Sequence, residues 1–294
     1  METRRTFLRR KAPAVDRVAA RAQFASYLIA LDIDGTLADR TGQISSRTRA
    51  AVGIARSAGH HIVLATGRSL IGLPPITRQL GLTGQWAVAS NGALLVRLDA
   101  DTPDGHVVEE VHLFDPGPVI HRALDMVPGV VVGAEEVGVG WRFSSLLPAG
   151  LVHAPQRVAS ISDLCAAGVT KVAFKAPGIH RFADALAEAG VSITTMSSDW
   201  LDVVGPGVSK ASTLEKLRRR LEVPSAATVA VGDGANDVAM LRWATTSYAM
   251  GHASATVRRA ATTTCPSIVD DGAADVLLSL VPATQRGLAL PPLP

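Results

Sequence analysis

The sequence has few of the residues that mark several specialised classes of protein. Its 294 residues include two cysteines, Cys165 and Cys265, which form neither a CxxC pair nor a disulfide framework. No apolar run approaches the roughly 18 residues that span a bilayer. Aromatic residues make up 4% of the chain, so it offers few surfaces on which nucleic-acid bases could stack. We therefore expect a cytoplasmic protein with neither nucleic acid nor membrane as a partner.

Two common nucleotide-binding signatures are also absent. The sequence contains neither GxGxxG, which a dinucleotide-binding protein carries after its first strand, nor the GxxxxGK[ST] of a P-loop protein. Its 47% hydrophobic and 19% charged residues are typical of a folded globular protein. At this length the chain is long enough for one large core or for two domains.

The net charge of +3 conceals an uneven distribution. Residues 1–26 hold seven basic and two acidic side chains, a balance of +5, while the other 22 basic and 24 acidic residues give −2. The segment 1–26 lacks the apolar run of a secretory signal. A presequence, a nucleic-acid arm and a true start further along the chain are alternatives, but we favour a disordered extension. Its low apolar content cannot offset the entropy cost of ordering it.

The most informative stretch is YLIALDIDGTLAD, residues 27–39. Its apolar run ends at Leu31 and is followed by Asp32 and Asp34, a pattern typical of a buried parallel strand with polar groups beyond its carboxyl end. Gly35 allows a sharp turn there. Two carboxylates this close repel each other, so we expect a hard divalent cation such as Mg²⁺ to bind at this position.

Polar residues also follow the next two predicted strands. Thr66, Gly67 and Arg68 come after the apolar run IVLAT, and Asn91 lies in SNGA after the run WAVA. A hydroxyl group at a strand end, together with backbone N–H groups at the start of the following helix, can hold phosphoryl oxygens. Thr66 is therefore a candidate for binding an anionic ligand.

Two further motifs occur late in the chain. Lys210, in GPGVSKAST, begins a predicted helix, where the helix dipole disfavours a cation. Taken alone it is more readily interpreted as a surface lysine, but its position suggests a local anionic partner. The segment VAVGDGANDVAML places Asp233 directly after an apolar strand, with Asn236 and Asp237 close behind. A second acidic strand end in a parallel sheet would complete an oxygen-ligand Mg²⁺ site.

The order of the predicted elements indicates an α/β fold with two parts. Strands and helices alternate in residues 27–113 and again in 207–281, which predicts a doubly wound parallel sheet. Residues 114–206 break this rhythm and predict an inserted α+β cap domain. The Pro-rich tail, residues 282–294, is predicted to be irregular.

Taken in order, DIDGT, TGR, GVSK and GDGANDVAML resemble the four motifs of the haloacid dehalogenase (HAD) superfamily of phosphohydrolases. The added SNGA and the insertion before the lysine resemble its Cof-type branch. The resemblance covers about residues 27 to 280. The sequence departs from the family near Cys265, where the usual polar stretch before an Asp/Glu-Gly pair reads TTTCPSIVDDG; this departure does not touch the motif residues.

The resemblance implies a mechanism and a role for each motif residue. Asp32 would be the nucleophile that forms an aspartyl-phosphate, and Asp34 would protonate the leaving alcohol and then activate water. The remaining implied roles are Mg²⁺ binding by Asp32, the backbone carbonyl of Asp34 and Asp233, with Asp237 close by; phosphoryl binding by Thr66 and Lys210; and substrate placement by Gly67, Arg68, Asn91 and Asn236.

The implied substrate is a small phosphorylated metabolite, with sugar phosphates ahead of nucleotides and a cofactor such as FMN or pyridoxal phosphate second. We expect the cap to contact the leaving alcohol. Arg142, Lys175 and Trp141 are candidate contacts, although each is more readily interpreted as structural or solvent-facing. Since the insertion has no single polar cluster in its sequence, we expect modest selectivity.

Two alternatives to a phosphatase stay open at this stage. A phosphomutase of the same superfamily would share the first two acids, and conversion of substrate without phosphate release would identify it. A receiver-like signalling module would store a phosphoryl group on its aspartate, although it has no need of an insertion of this size. We expect a monomer or a homodimer.

Overall fold

The computed structural model describes residues 24–152 and 154–286. Within these ranges, no helix combines the length and apolar character needed to cross a membrane. Phe24 packs edge-on against Tyr27 with ring centroids 5.5 Å apart, so the packed part of the chain begins before residue 27. Residues 1–23 lie outside the described residues, and a disordered extension there stays a prediction.

The larger of two sheets contains the strands on either side of the insertion. Its members are β1 (Leu28–Leu31), β2 (His61–Ala65), β3 (Trp86–Ala89), β4 (Leu94–Leu98), β5 (His106–Val111), β12 (Thr228–Gly232), β13 (Thr246–Ala249) and β14 (Thr263–Thr264). Their order in the sheet is β14-β13-β12-β1-β2-β3-β4-β5. The strand β1 therefore lies at the centre, between β12 and β2.

The first six strands in this order are parallel, which confirms the predicted fold class. At one edge the sheet departs from this parallel pattern, since β3, β4 and β5 pair antiparallel. Only residues 90–93 link β3 to β4, and a parallel crossover needs a dozen residues or more. The strand β5 was not predicted.

Helices connect the parallel strands and cover the sheet. They are α1 (Ser46–Ser57), α2 (Pro74–Leu80), α6 (Lys210–Arg220), α7 (Val238–Trp243), α8 (Ala255–Ala260) and α9 (Gly272–Leu280). The chain leaves β1 toward β2 and β3 on one side, and passes from β12 to β13 and β14 on the other. Because such crossovers are right-handed, the two sets of helices cover opposite faces, and a crevice opens at the carboxyl ends of β1 and β12.

The insertion forms the second sheet. Its strands are β6 (Val131–Glu136), β7 (Gly140–Phe143), β8 (Gln156–Val158), β9 (Lys171–Lys175), β10 (Ser192–Ser197) and β11 (Trp200–Val204), and its helices are α3 (Gly117–Met126), α4 (Ile161–Cys165) and α5 (Ala183–Ala187). The sheet order is β10-β11-β9-β6-β7-β8, antiparallel except between β7 and β8. This unit is the α+β cap.

Each sheet has its own hydrophobic core. In the core of the larger sheet, Leu28 and Ile29 are completely buried, and Phe174 and Leu201 are completely buried in the cap. Burying one such side chain stabilises the fold by roughly 1.5–3 kcal/mol. The core of the cap is therefore separate from the core of the larger sheet.

The chain passes between the two units twice, and after α9 it continues into a C-terminal segment. The connections run through residues 112–116 and 205–209, and domain boundaries at 113/114 and 206/207 stay a prediction. The predicted irregular tail instead begins with a short helix, α10 (Ala283–Arg286). Residues 287–294 lie outside the described residues.

Candidate active site

Two acidic strand ends lie side by side at the centre of the larger sheet. The backbone N–H of Asp32 donates to the carbonyl of Val231 at 3.0 Å, which aligns the chain leaving β1 with the chain leaving β12. Gly35 has φ +88°, and the Asp233 carboxylate fills the space that a Cβ atom would need there. Glycine is therefore required for this close approach.

A buried lysine joins two of the predicted carboxylates. The Nζ of Lys210 lies 2.7 Å from Oδ1 of Asp32 and 2.6 Å from Oδ1 of Asp237, and all three side chains are buried. Burial by itself would lower the pKa of Lys210, but the Asp237 and Asp32 carboxylates raise it above its ordinary value. The lysine is therefore charged and buried rather than on the surface, and Asp32 and Asp237 are its anionic partners at the first turn of α6.

The acids themselves carry an excess of negative charge. Burial, followed by repulsion from Asp237, raises the pKa of Asp32 well above its ordinary value. The same two causes raise the pKa of Asp233. Three carboxylates face one ammonium group, which leaves a net charge of −2 when all are ionised. A divalent cation would balance this charge.

The donor atoms of this cluster fit a metal site. Carboxylate oxygens of Asp32, Asp233 and Asp237 lie within 4.8 Å of one another. Both carboxylate oxygens of Asp237 already accept hydrogen bonds. Oδ1 accepts from Lys210, and Oδ2 accepts from the N–H groups of Asp233 and Gly234 at 3.0 and 2.8 Å. Asp32 and Asp233 are therefore the better ligands, and Asp237 holds the lysine and the turn in place.

Asp34 lies at the mouth of the site in an ion pair that the sequence did not reveal. The guanidinium of Arg68 donates to its two oxygens, Nε to Oδ2 at 2.8 Å and Nη2 to Oδ1 at 2.5 Å. Arg68 is also fixed by a bond from Nη1 to the carbonyl of Gly72. Although Arg68 was predicted to place substrate, in this structure it binds Asp34.

The loop after β2 is organised around Thr66 and Gly67. The Thr66 hydroxyl is fully buried and accepts from the N–H of Arg68 at 3.0 Å. The carbonyl of Gly67 accepts from Nζ of Lys171, a cap residue, at 2.6 Å. Within the described ranges, no hydrogen bond from the N–H of Gly67 is found, so this donor is free to bind an anionic ligand.

The two predicted asparagines are joined to each other. The Nδ2 of Asn236 donates to Oδ1 of Asn91 at 3.0 Å, which brings together the SNGA and GDGAND segments. Asn91 and its neighbour Ser90 are buried and have φ values of +55° and +50°. Such left-handed conformations are strained for residues other than glycine, and strain of this kind concentrates at functional sites.

A cavity of about 600 Å³ opens between the core and the cap beside these residues. On the core side its lining includes Asp32, Asp34, Gly67, Arg68, Asp233 and Asn236. Thr66, Asn91, Lys210 and Asp237 lie behind this surface and are buried. All the predicted site residues therefore gather in one region.

The cap side of the cavity is lined by two residues that were candidate contacts, Trp141 and Lys175. The sequence reasoning missed four others that line it: Lys171, Asp199, Trp200 and Asp202. Lys171 and Lys175 are separated by an even number of positions on β9, and so are Trp200 and Asp202 on β11. Each pair therefore lies on one face of its strand, and the two strands are paired. This period of two is the signal that could have identified a shared polar face.

One expectation about the cap is corrected. The cap does hold a polar cluster, with Lys175 paired to Asp199 at 2.9 Å and Lys171 lying 3.8 Å from Asp202. Arg142 does not line the cavity; its Nη1 donates to the carbonyl of Asp163 at 2.7 Å. Lys175 and Trp141 do line it.

Comparison with known proteins gives the class of this chain. A model of the haloacid dehalogenase-like hydrolase family matches residues 29–113 and 163–277, which is more than half of the sequence. The chain belongs to this family and to its Cof-type branch. It is a phosphoric monoester hydrolase, which implies a small phosphorylated substrate.

Particular relatives agree with this class. The chain is 26% identical to the 5-amino-6-(5-phospho-D-ribitylamino)uracil phosphatase YitU of Bacillus subtilis, over 85% of this chain and 96% of that protein. It is 28% identical to the HMP-PP phosphatase of Cronobacter sakazakii, over 76% and 84%. Among solved structures, the phosphatase BT1666 of Bacteroides thetaiotaomicron superposes with a TM-score of 0.74 at 25% identity, covering 90% and 99% of the two chains.

Proposed function

We propose that this enzyme hydrolyses small organic phosphate monoesters in a Mg²⁺-dependent reaction through an aspartyl-phosphate on Asp32. The observation that carries the proposal is the cluster of Asp32, Lys210, Asp233 and Asp237 at the floor of the cavity. Lys210 binds Oδ1 of Asp32 and so fixes the carboxylate, which leaves Oδ2 as the attacking atom.

In the first step, Oδ2 of Asp32 forms a bond to phosphorus as the bond from phosphorus to the ester oxygen breaks. The leaving oxygen takes a proton from Asp34. The Arg68 contact has to loosen for this step, since a protonated carboxyl group cannot accept both guanidinium bonds as an ionised one does. The Thr66 hydroxyl, the N–H of Gly67 and Lys210 would stabilise the phosphoryl oxygens, where negative charge has to be balanced.

In the second step, water attacks phosphorus and releases phosphate from Asp32. Asp34, as a carboxylate, would accept the proton of that water. Asp32 and Asp233, with the backbone carbonyl of Asp34, would hold Mg²⁺. A bound Mg²⁺ polarises phosphoryl oxygens and neutralises charge at the reacting centre. A cytoplasmic location and a monomeric or homodimeric state stay predictions.

The residues on the cap side of the cavity suit a leaving group that carries hydroxyl groups. Its two lysines are balanced by Asp199 and Asp202, so the wall offers hydrogen bonds without a strong net charge. The indole rings of Trp141 and Trp200 beside them suit the apolar face of a sugar ring. We therefore propose sugar phosphates as the preferred class, ahead of nucleotides. The same rings, and the uracil in the name of the YitU substrate, make a phosphate ester that carries a nitrogen heterocycle the second candidate.

Removal of metal tests the proposal directly. We expect p-nitrophenyl phosphate hydrolysis to fall by at least about a hundredfold in excess chelator, since a catalytic metal supplies several kcal/mol of transition-state stabilisation. Added Mg²⁺ should restore the rate, and circular dichroism should show an unchanged fold. Full activity after verified metal removal would contradict the proposal. Formation of an isomeric phosphate ester without phosphate release would instead favour a mutase.

Substitution of Asp34 tests the acid-base role. Because p-nitrophenolate leaves without protonation, Asp34→Asn should reduce phosphorylation of the enzyme by p-nitrophenyl phosphate much less than by a sugar phosphate. Rapid-quench measurement of the phosphoenzyme with each substrate checks this. Arg68→Lys serves as the companion variant, because it keeps the positive charge but loses the two-pronged contact. An equal loss for both substrates in Asp34→Asn would argue against proton donation.

A further inference from the structure

One cap residue, Asp202, contacts both walls of the cavity. Its Oδ1 accepts from Nε1 of Trp200 at 2.8 Å, and its Oδ2 accepts from Nδ2 of Asn91 at 2.8 Å. Lys171 lies 3.8 Å away and balances its charge. Asp202 is almost fully buried, with 7% of its surface exposed. A buried carboxylate with three such neighbours is held in one orientation.

The contact with Asn91 continues into the core of the site. Asn91 receives, through Oδ1, a hydrogen bond from Nδ2 of Asn236, and Asn236 lines the cavity together with Asp32 and Asp233. Asp202, Asn91 and Asn236 therefore form a chain of three side chains, which we name the amide relay. It runs from the cap to the end of the cavity that is lined by Asp32 and Asp233.

The carboxylate sets the polarity of the relay. An ionised carboxylate only accepts hydrogen bonds, so Asn91 has to present Nδ2 to Asp202 and Oδ1 to Asn236. Asn236 then has to present Nδ2 to Asn91. The second hydrogen of that Nδ2 group is left for an acceptor in the cavity, where a phosphoryl oxygen would lie.

We propose that Asp202 is a positioning residue: it orients Asn236 toward the phosphoryl group through Asn91. This inference rests on the proposed function and deepens it, because it makes the cap part of the phosphoryl-binding machinery as well as the wall for the leaving group. An amide at position 202 would no longer fix the orientation of Asn91. Since Oδ1 of an asparagine can serve either Trp200 or Asn91 but not both in full, one donor would face another.

The test uses acetyl phosphate, whose leaving group is too small to depend on the indole wall. With the full-length enzyme and Mg²⁺, Asp202→Asn should lower kcat for acetyl phosphate by about tenfold, a usual coupling between residues of one network. The matched control is Asp125→Asn, which makes the same acid-to-amide change at an exposed cap position on α3 that does not line the cavity. It should leave kcat within about twofold.

A double-mutant cycle separates positioning from general destabilisation. In an Asn236→Ala background the relay has no end group, so Asp202→Asn should change kcat by less than about twofold. If Asp202→Asn does not fold, judged by its melting temperature, Asn91→Ala removes the middle link instead. That variant should show the same coupling to Asn236→Ala.

The outcomes are distinct. Unchanged turnover of acetyl phosphate in Asp202→Asn, with altered KM for larger esters alone, would overturn the inference and restrict Asp202 to the wall. A full effect of Asp202→Asn in the Asn236→Ala background would overturn it as well. A wild-type enzyme that hydrolyses neither acetyl phosphate nor p-nitrophenyl phosphate with Mg²⁺ would instead refute the proposed function, and this inference with it.

Discussion

Asp32→Asn is expected to abolish turnover, with a loss of at least about a thousandfold in kcat, because the amide cannot form the acyl phosphate. Substitutions of the nucleophile are among the most damaging in covalent catalysis. The measurement is steady-state hydrolysis of p-nitrophenyl phosphate, together with acid trapping of the phosphoenzyme. The wild type should yield an acid-stable phosphoprotein whose label maps to Asp32, and the variant should yield none.

The fold should survive this substitution. Burial and the Asp237 carboxylate raise the pKa of Asp32, so the folded metal-free protein is destabilised by an ionised Asp32 relative to the unfolded chain. A neutral amide removes that penalty, and Lys210 keeps its contact with Asp237. We expect the melting temperature in chelator to be unchanged or higher. Exposed Asp101, changed to asparagine, is the control for charge alone. A label on a residue other than Asp32 would refute the assigned role.

The central part of the site was predictable because its signal is local. An apolar run that ends in acids marks a strand end, and two such ends at Asp32 and Asp233 meet because the strands before them are parallel neighbours. Lys210 was recognisable as anomalous at the first turn of α6. Each of these inferences depends on residues that are close in sequence.

The rest depended on contacts between distant residues. The pairing of Arg68 with Asp34 joins positions 34 residues apart, and that of Asn91 with Asp202 joins positions 111 apart. Neither pairing changes any local pattern of hydrophobic or polar residues. The alternation on β9 and β11 was visible in the sequence, but which face of those strands would meet the core depended on how the cap packs over it.

Lys210→Met should be the most destabilising single change in the site. Its Nζ is the cation nearest to the buried carboxylates of Asp32 and Asp237, at 2.7 and 2.6 Å. Removing one partner from a buried ion pair leaves uncompensated charge and typically costs about 3–5 kcal/mol. We expect the free energy of unfolding, measured by urea denaturation at neutral pH in the presence of chelator, to fall by that amount.

A second substitution should reverse part of this loss. In Lys210→Met with Asp32→Asn, one of the two stranded charges is gone, so the double variant should be more stable than Lys210→Met alone. Lys216→Met on the same helix is the matched control, since Lys216 is half-exposed, with its Nζ 3.7 Å from Glu110, and surface changes usually stay within about 0.5 kcal/mol. If Lys210→Met were as stable as this control, the lysine charge would not be needed to offset the charge of the carboxylates. The net charge of −2 that argues for a divalent cation would then lose its basis.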